Sequence, residues 1–397
     1  MLKDTLYEIL KTQVLPPLAP HEVARVVAED LTPVPGMATV LTGVRRCGKS
    51  TLQAQLARKN GGVFYCNFED TRLFEMTAAD FPLWLELLDE LAPLPTPVFL
   101  DEVQEIEGWQ RLARTLLDRG RTLCVTGSNA SLLGVGLGAK LTGRHLPHVV
   151  YPFCYSEYLA YTQRERGAES LEAFLDDGGF PMFLFLCRDE VLRELARNIV
   201  QRDVVARHGL RESRGVMNLL LFLLANTGQP FSLQTLAKNL AITSVNRVSE
   251  YSALLQDAYL LFTVPKFSAS FKQRVVAPPK YYAIDNGLRR ANSPQIMPDK
   301  GRRLENAVAL ELLRRGMEPC YAAEKAAWEC DFVTKDAAWQ VCWRLTEENM
   351  AREVRGLLEA KAQTRAKRLV ILTLDQKQIL PQDGETIEVL PAWEWLG

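Results

Sequence analysis

The chain lacks long hydrophobic runs, paired cysteines and any surplus of one charge. Its longest apolar run, residues 219–225, is far too short to cross a bilayer, which excludes a membrane-spanning helix. Eight cysteines are scattered with no C-x-x-C pair and no His/Cys cluster of zinc spacing, which excludes a zinc framework. A formal net charge of -1 over 397 residues excludes a bulk cationic nucleic-acid binder but leaves room for local basic faces. Met1-Leu2-Lys3-Asp4-Thr5 carries no signal-peptide h-region, and scattered thiols fit a reducing compartment. A soluble, cytoplasmic protein without membrane contact is expected. What is present is ordinary globular composition, 47% hydrophobic and 24% charged, at a length suited to about two to four domains.

Against that background one segment stands out. Residues 43–51, Gly-Val-Arg-Arg-Cys-Gly-Lys-Ser-Thr, fit the phosphate-loop pattern G-x-x-x-x-G-K-[ST] at every required position. Gly43 and Gly48 let the backbone curl so that successive N–H groups, through Arg45, Arg46 and Cys47, point at phosphate oxygens. Lys49 reaches the β- and γ-phosphates, Ser50 ligates Mg²⁺, and Thr51 follows in a helix whose N-terminus favours anions. The flanks agree: residues 37–41 read as a buried strand and residues 51–57 as a helix. ATP and Mg²⁺ are the expected ligands.

The strands that follow end in chemistry. Residues 63–68 read as a second strand and residues 97–102 as a third, closing on Asp101-Glu102. In phosphate-loop enzymes the first acid holds the Mg²⁺ shell and the next orients and deprotonates the attacking water. Asp101 is assigned to the metal and Glu102 to the water; a strand-end pair that merely caps the next helix is the plain alternative. After an amphipathic helix over residues 108–118, a buried strand over 122–126 ends in Gly127-Ser128-Asn129. A polar residue at that tip lies beside the γ-phosphate. Ser128 and Asn129 both qualify, Asn129 is preferred, and ordinary turn chemistry competes. Arg144 precedes a fifth apolar strand; it either steadies transition-state charge, in its own site or a neighbour's, or is a surface arginine. Strands alternating with helices imply an α/β fold, a three-layer parallel sheet with nucleotide at the carboxyl ends of the strands.

Taken in order, Gly43–Thr51, Phe99-Leu100-Asp101-Glu102-Val103-Gln104, Thr126-Gly127-Ser128-Asn129 and Leu141-Thr142-Gly143-Arg144 resemble the bacterial and archaeal AAA-type ATPases that carry a C-terminal domain of unknown function. The resemblance continues through Gly178-Gly179-Phe180-Pro181, Arg202-Asp203, residues 281–287, Leu304-Glu305-Asn306 and residues 329–333, so it covers nearly the whole chain. It implies an ATP hydrolase that works as a homo-oligomer, in this superfamily commonly a ring.

The middle of the chain reads as helices over residues 152–210, broken at Gly178-Gly179-Phe180-Pro181, with arginines at 193, 197, 202 and 207 that form either a binding face or a solvated helix. From Met217 the pattern is helix, helix, helix, then two strands, 260–264 and 280–284: winged-helix patterning. Thr243 or Ser244 caps the third helix, whose exposed start offers Ser244, Asn246 and Arg247 to DNA. Such domains also serve as protein–protein lids in the resembled superfamily.

The last third reads helix 304–315, strands 319–323, 328–334 and 339–345, helix 348–361, strand 368–374. This order resembles the PD-(D/E)xK nuclease fold, in which a helix glutamate, a strand aspartate and a Glu-x-Lys pair bind metal and activate water. Glu305 and Asp331 match the two acids, unless they are unrelated surface acids; Gln340 stands for the glutamate and Cys342 replaces the lysine. A thiol supplies no positive charge, so little or no cleavage is expected. The basic stretch 361–368 either tracks a phosphate backbone or is a solvated helix end.

The expected organisation is an ATPase core over 1–151, a helical lid or linker over 152–213, a winged helix over 214–295 and a nuclease-like α/β domain over 296–397. The expected function is a Mg²⁺-dependent ATPase that rearranges a DNA-associated oligomer, on branched or single-stranded DNA among the options. The alternative is a regulatory switch that acts through protein partners with incidental hydrolysis.

Overall fold

The computed structural model describes residues 1–17, 22–130, 141, 143–293, 299–324 and 327–397. Thr142 of the fourth motif and the expected 295/296 boundary lie outside the described residues. The chain divides into two units, residues 1–151 with 257–259, and residues 152–256 with 260–397.

In the first unit, β1 (Ala38–Thr42), β2 (Phe64–Asn67), β3 (Val98–Asp101), β4 (Leu123–Gly127) and β5 (His145–Val149) form one sheet in the order β2-β3-β4-β1-β5. Every neighbouring pair is parallel. β1, β3 and β4 are buried along their whole length, which is why they read in the sequence as near-continuous apolar runs. The helices Phe81–Leu91 and Trp109–Asp118 supply Trp84, Leu88, Leu112 and Leu116 to a cluster with Val40, Leu100 and Val125. From β1 the chain runs to the sheet's far edge, returns through β3 and β4, then passes beyond β1 to β5. Open α/β sheets bind ligands outside the carboxyl ends of the strands, where the order reverses. The 43–48 loop leaves β1 at that end and enters the helix Lys49–Lys59.

The second unit begins with four helices, Tyr155–Thr162, Ala168–Asp177, Pro181–Leu186 and Asp189–Asn198, the last continuing as a π-helical turn over Ile199–Ala206. The break expected at Gly178-Gly179 has a steric cause. A Cβ on Gly179 would lie 2.2 Å from the Phe153 carbonyl oxygen, and one on Gly178 would meet the Asp285 carboxylate at 2.4 Å. Asp285 accepts a hydrogen bond from the Gly179 N–H at 2.6 Å and another from the Leu288 N–H at 2.7 Å, which caps the helix Asn286–Asn292. Burial pushes that carboxyl up to about 6, although the Gly179 and Leu288 amides work the other way.

Three helices follow, Arg214–Ala225, Leu233–Asn239 and Val245–Asp257, then an antiparallel pair, β6 (Leu261–Val264) and β7 (Lys280–Ala283). Ser232 caps the second helix by accepting from the Thr235 N–H, and the Ser244 hydroxyl accepts from the Arg247 N–H at 3.4 Å at the start of the third. A short helix, Phe271–Val276, interrupts the connection between the two strands.

The last element group is a six-stranded mixed sheet, β12-β13-β11-β10-β9-β8, made of β8 (Cys320–Glu324), β9 (Trp328–Val333), β10 (Ala337–Val341), β11 (Arg368–Thr373), β12 (Gln378–Gln382) and β13 (Glu385–Pro391). Two hydrophobic clusters form around it. One joins Leu304, Val308 and Leu312 of the helix Lys300–Arg314 to Phe332, Trp339 and Val370. The other joins Leu357 and Ala360 of the helix Glu347–Thr364 to Cys330, Cys342 and Ile371.

Candidate functional site

The phosphate loop is built by steric necessity. Gly43 has φ +147°, and a Cβ there would lie 2.1 Å from the Val150 carbonyl oxygen. Gly48 has φ +103°, and its Cβ would lie 2.9 Å from Arg25 Nη1. Both positions need glycine whatever binds above them. Lys49 is buried, and its Nζ donates to the carbonyls of Gly43 at 3.1 Å and Val44 at 3.3 Å, with Glu102 Oε1 at 3.8 Å. Ser50 Oγ donates to Asp101 Oδ2 at 2.8 Å. The residues expected to hold phosphate and metal from two distant stretches of sequence therefore touch.

Around Asp101 the hydroxyls close in. Tyr65, from the adjacent strand β2, donates to Oδ2 at 2.8 Å, and Thr126, from β4, donates to Oδ1. Burial pushes the Asp101 carboxyl up, while the hydrogen bonds from Thr126, Ser50 and Tyr65 favour its charged form. A divalent cation at this carboxylate adds to the second effect. Glu102 sits in the left-handed region at φ +50°; its N–H donates to Thr126 Oγ1 at 3.0 Å and its Oε2 accepts from Gln104 Nε2 at 2.5 Å. Strain at a strand tip costs on the order of 1 kcal/mol and turns the carboxylate out of the strand line towards Lys49. Asp101 thus faces the loop serine and Glu102 the loop lysine.

The remaining expected residues divide. Ser128 and Asn129 are both buried just beyond the end of β4, and Ser128 Oγ lies 3.4 Å from Gln104 Nε2. Arg45 donates to Glu69 Oε1 at 3.1 Å, Arg46 is exposed at φ +68°, and Thr51 is half-buried on the loop helix. Cys47 points its thiol onto the Val150 carbonyl at 3.1 Å, just beyond the end of β5, and burial pushes the thiol up, so its backbone is the part that serves the loop.

Arg144 lies at the other end of β1 from the phosphate loop. Its carbonyl pairs with the N–H of Ala38 at the start of β1, whereas the loop leaves the other end of that strand. Its guanidinium is held by Asp118 at 2.6 Å.

Arg25, Tyr65 and Thr126 were not read from the sequence. Arg25 is buried and donates to the carbonyls of Cys47 at 2.8 Å and Tyr151 at 2.7 Å, gripping the loop from beneath. Gln55 of the loop helix holds the same segment through the Val23 carbonyl at 2.7 Å. No spacing rule announces an arginine that binds carbonyl oxygens; Tyr65 and Thr126 were findable as polar residues on the strands flanking β3.

In the second unit Glu305 and Asp331 do share a site. The cation among them is Lys280 of β7, whose Nζ lies 3.2 Å from Glu305, 2.6 Å from Glu329 and 3.5 Å from Asp331. Gln340 binds the backbone beside these acids: its Oε1 accepts from the Asp331 N–H at 2.8 Å, and its Nε2 donates to the Glu329 carbonyl at 3.0 Å and to Glu353 at 2.9 Å. Cys342 is buried in the cluster beside the Glu347–Thr364 helix. Among the described residues no group of three His, Cys, Asp or Glu is placed to hold a metal ion.

The basic features are mostly paired with acids. Arg193 and Arg197 bind Glu190 and Glu194 on their own helix at 2.6 and 2.7 Å. In the 361–368 stretch, Lys361 pairs with Glu385, and Arg368 pairs with Glu388 at 3.0 Å. Asn246 and Arg247 are exposed at the start of the third helix. No helix among the described residues is long and apolar enough to cross a membrane.

Comparison with known proteins places these sites in a family. Residues 36–159 match the model of an AAA domain, and residues 169–295 match a domain of unknown function, DUF8612. The chain is 29% identical over 386 residues to an uncharacterized protein of Haemophilus influenzae, across 90% of this chain and 93% of that one. It is 30% identical over 402 residues to the uncharacterized protein MJ1544 of Methanocaldococcus jannaschii, across 91% of this chain and 88% of that one. A solved structure of the Aeropyrum pernix Orc1 protein in complex with DNA overlaps 72% of this chain and 95% of its own, at 15% identity and a TM-score of 0.29, too loose an overlap to bear on partner or activity. The segment that carries the phosphate loop is an AAA domain, the setting of an ATP-binding site, and the chain belongs to the family that includes the Methanocaldococcus jannaschii protein.

Proposed function

We propose that the protein is a Mg²⁺-dependent ATPase, converting ATP to ADP and phosphate, whose nucleotide state rearranges a DNA-associated homo-oligomer. The observation that carries the hydrolytic part is the meeting of Ser50 with Asp101 and of Lys49 with Glu102 across 51 and 53 residues of sequence. The 43–48 backbone and Lys49 hold the phosphates, and Ser50 and Asp101 hold the metal. When bound, Mg²⁺ supplies positive charge to the phosphate oxygens. Glu102 accepts the proton of the attacking water, with Gln104 fixing its other oxygen. Asn129, at the tip of β4, is positioned to report the γ-phosphate to the sheet.

Arg144 acts across subunits, in a neighbour's site, a role compatible with its place at the far end of β1; a surface arginine paired with Asp118 is the plain alternative. The domain organisation follows the same reading: ATPase core 1–151, helical linker 152–213, winged helix 214–295 and nuclease-like domain 296–397, all in the cytoplasm. The winged helix meets DNA through Ser244, Asn246 and Arg247, and the last domain binds or assembles without cutting. Purified protein is expected to hydrolyse ATP with Mg²⁺; normal turnover in both Lys49→Ala and Glu102→Gln would sink the assignment. Duplex, single-stranded and branched DNA, titrated at rising salt, test the second half: affinity must fall with salt.

A second reading is favoured by the near-zero net charge and by the acid-paired arginines. In it the nucleotide state is read by a protein partner and hydrolysis is incidental. Absence of binding to all three DNA forms selects it.

A further inference from the structure

Lys280 stands in a strand otherwise made of aromatic and small residues, and its side chain is 1% exposed. A buried ammonium is costly unless its donors are met. Here three donors face three carboxyl groups, one from the helix Lys300–Arg314 and two from β9. Tyr282, two residues on and therefore on the same face of β7, donates its hydroxyl to Glu305 at 2.6 Å. Tyr321 of β8 presents its ring 5.5 Å from the ammonium. Burial works to discharge Lys280, but Glu305, Asp331 and Glu329 outweigh it and hold the group charged.

The ammonium cannot swing away easily. The chain on both sides of the β6–β7 connection is fastened to β8: Tyr321 N–H donates to the Pro265 carbonyl at 3.0 Å, Phe267 N–H to the Tyr321 carbonyl at 2.7 Å, and Tyr321 Oη to the Pro278 carbonyl at 2.6 Å. Pro278 is two residues before Lys280. The other polar groups nearby are also spent, with Asp331 Oδ2 accepting from the Val341 N–H at 2.9 Å and Gln340 bridging β9 to Glu353.

We infer that Lys280 is a built-in cation that occupies the centre of the Glu305, Glu329 and Asp331 cluster and excludes a divalent ion from it. The nitrogen stands where the three carboxyls converge, so the cluster is partly neutralised from within the chain. The segment before the nuclease-like domain thereby closes that domain's acidic site. The functional meaning of such a plug rests on the non-cleaving role proposed above; the occupancy itself is open to a separate test.

That test uses terbium luminescence of the full chain, excited through tyrosine, with Tyr282 and Tyr321 beside the cluster as sensitisers. Wild type and Asp331→Asn are expected to give the same terbium titration. Lys280→Gln is expected to gain a site about tenfold or more tighter, lost again in Lys280→Gln/Asp331→Asn. If Lys280→Gln fails to fold by circular dichroism, Lys280→Gln/Glu329→Gln relieves the excess charge and must still gain a site that depends on Asp331. A wild-type site that vanishes in Asp331→Asn overturns the inference, as does a folded Lys280 variant that gains nothing. Metal-dependent DNA cutting by a wild type that binds no terbium at this cluster would instead overturn only the non-cleaving reading.

Discussion

Two buried lysines, Lys49 and Lys280, each face acids, yet their surroundings suit opposite tasks. Lys49 spends its donors on two backbone carbonyls, with the Glu102 carboxylate at 3.8 Å. Lys280 spends its donors on three carboxyl groups, the shortest contact at 2.6 Å. A phosphate can displace neutral carbonyls from an ammonium at little cost, because it brings more charge than it removes. Nothing of that kind displaces three acids. The same side chain meets backbone carbonyls in the first unit and side-chain carboxyls in the second, and the difference lies in those acceptors.

The comparison breaks most visibly in activity. Lys49→Ala and Glu102→Gln are each expected to lower ATP turnover by about 10³-fold or more in a steady-state phosphate-release assay, since transition-state charge and water activation both fail. Lys280→Gln should leave that rate unchanged. In stability the order reverses. Removing Lys280 strands buried carboxylates and is expected to cost about 3–5 kcal/mol in urea unfolding, the range for breaking a buried ion pair. Lys49→Met is expected to cost about 1 kcal/mol or less, because the carbonyls it leaves remain part of a loop built by glycine geometry. Equal losses for the two substitutions would remove the distinction.

A smaller effect sharpens how the loop is held. Arg25 grips the Cys47 and Tyr151 carbonyls, so Arg25→Met loosens the loop without touching the reacting groups. ATP KM is expected to rise about tenfold, with kcat changed less, because preorganisation of the phosphate cradle is lost. An unchanged KM would show that the glycines alone fix the loop.

How much of this was legible follows from what each strand must bury. β1, β3 and β4 are enclosed on both faces and end in motif residues, so their runs and tips were readable within a residue or two. The last sheet was readable only as far as β11. β12 is an edge strand with four of its five residues exposed and a proline inside, so it carries no alternation to read. The pairing of Asp101 with Ser50 followed from motif logic, but Arg25 did not, because it recognises backbone, which has no signature in sequence. The cation of the second site was sought at Cys342, two positions beyond Gln340, where spacing places it. It arrives instead from Lys280, 25 residues before Glu305, on a strand read only as a wing. Spacing rules describe residues fixed by one strand; they are silent on a side chain delivered by another element.

The mildest expected effect concerns protons at the Lys280 cluster. Burial, followed by the charge of Glu305, pushes Asp331 up to about 8, while Lys280 pulls the other way. An aspartate in the unfolded chain titrates near 3.9. Between about pH 4 and pH 8 the folded state therefore holds a proton that the unfolded state has released, and stability falls as pH rises through this window. The loss flattens above the folded value. Between pH 7 and pH 8 it is expected to amount to about 1 kcal/mol. Asp331→Asn mimics the protonated acid and can still accept from the Val341 N–H, so urea unfolding of that variant should lose this part of the slope while Asp285, raised to about 6, keeps its own lower window. Identical slopes for the two proteins between pH 7 and pH 8 would mean that Asp331 is already ionised beside Lys280 at neutral pH, and that the ammonium answers three full charges rather than two.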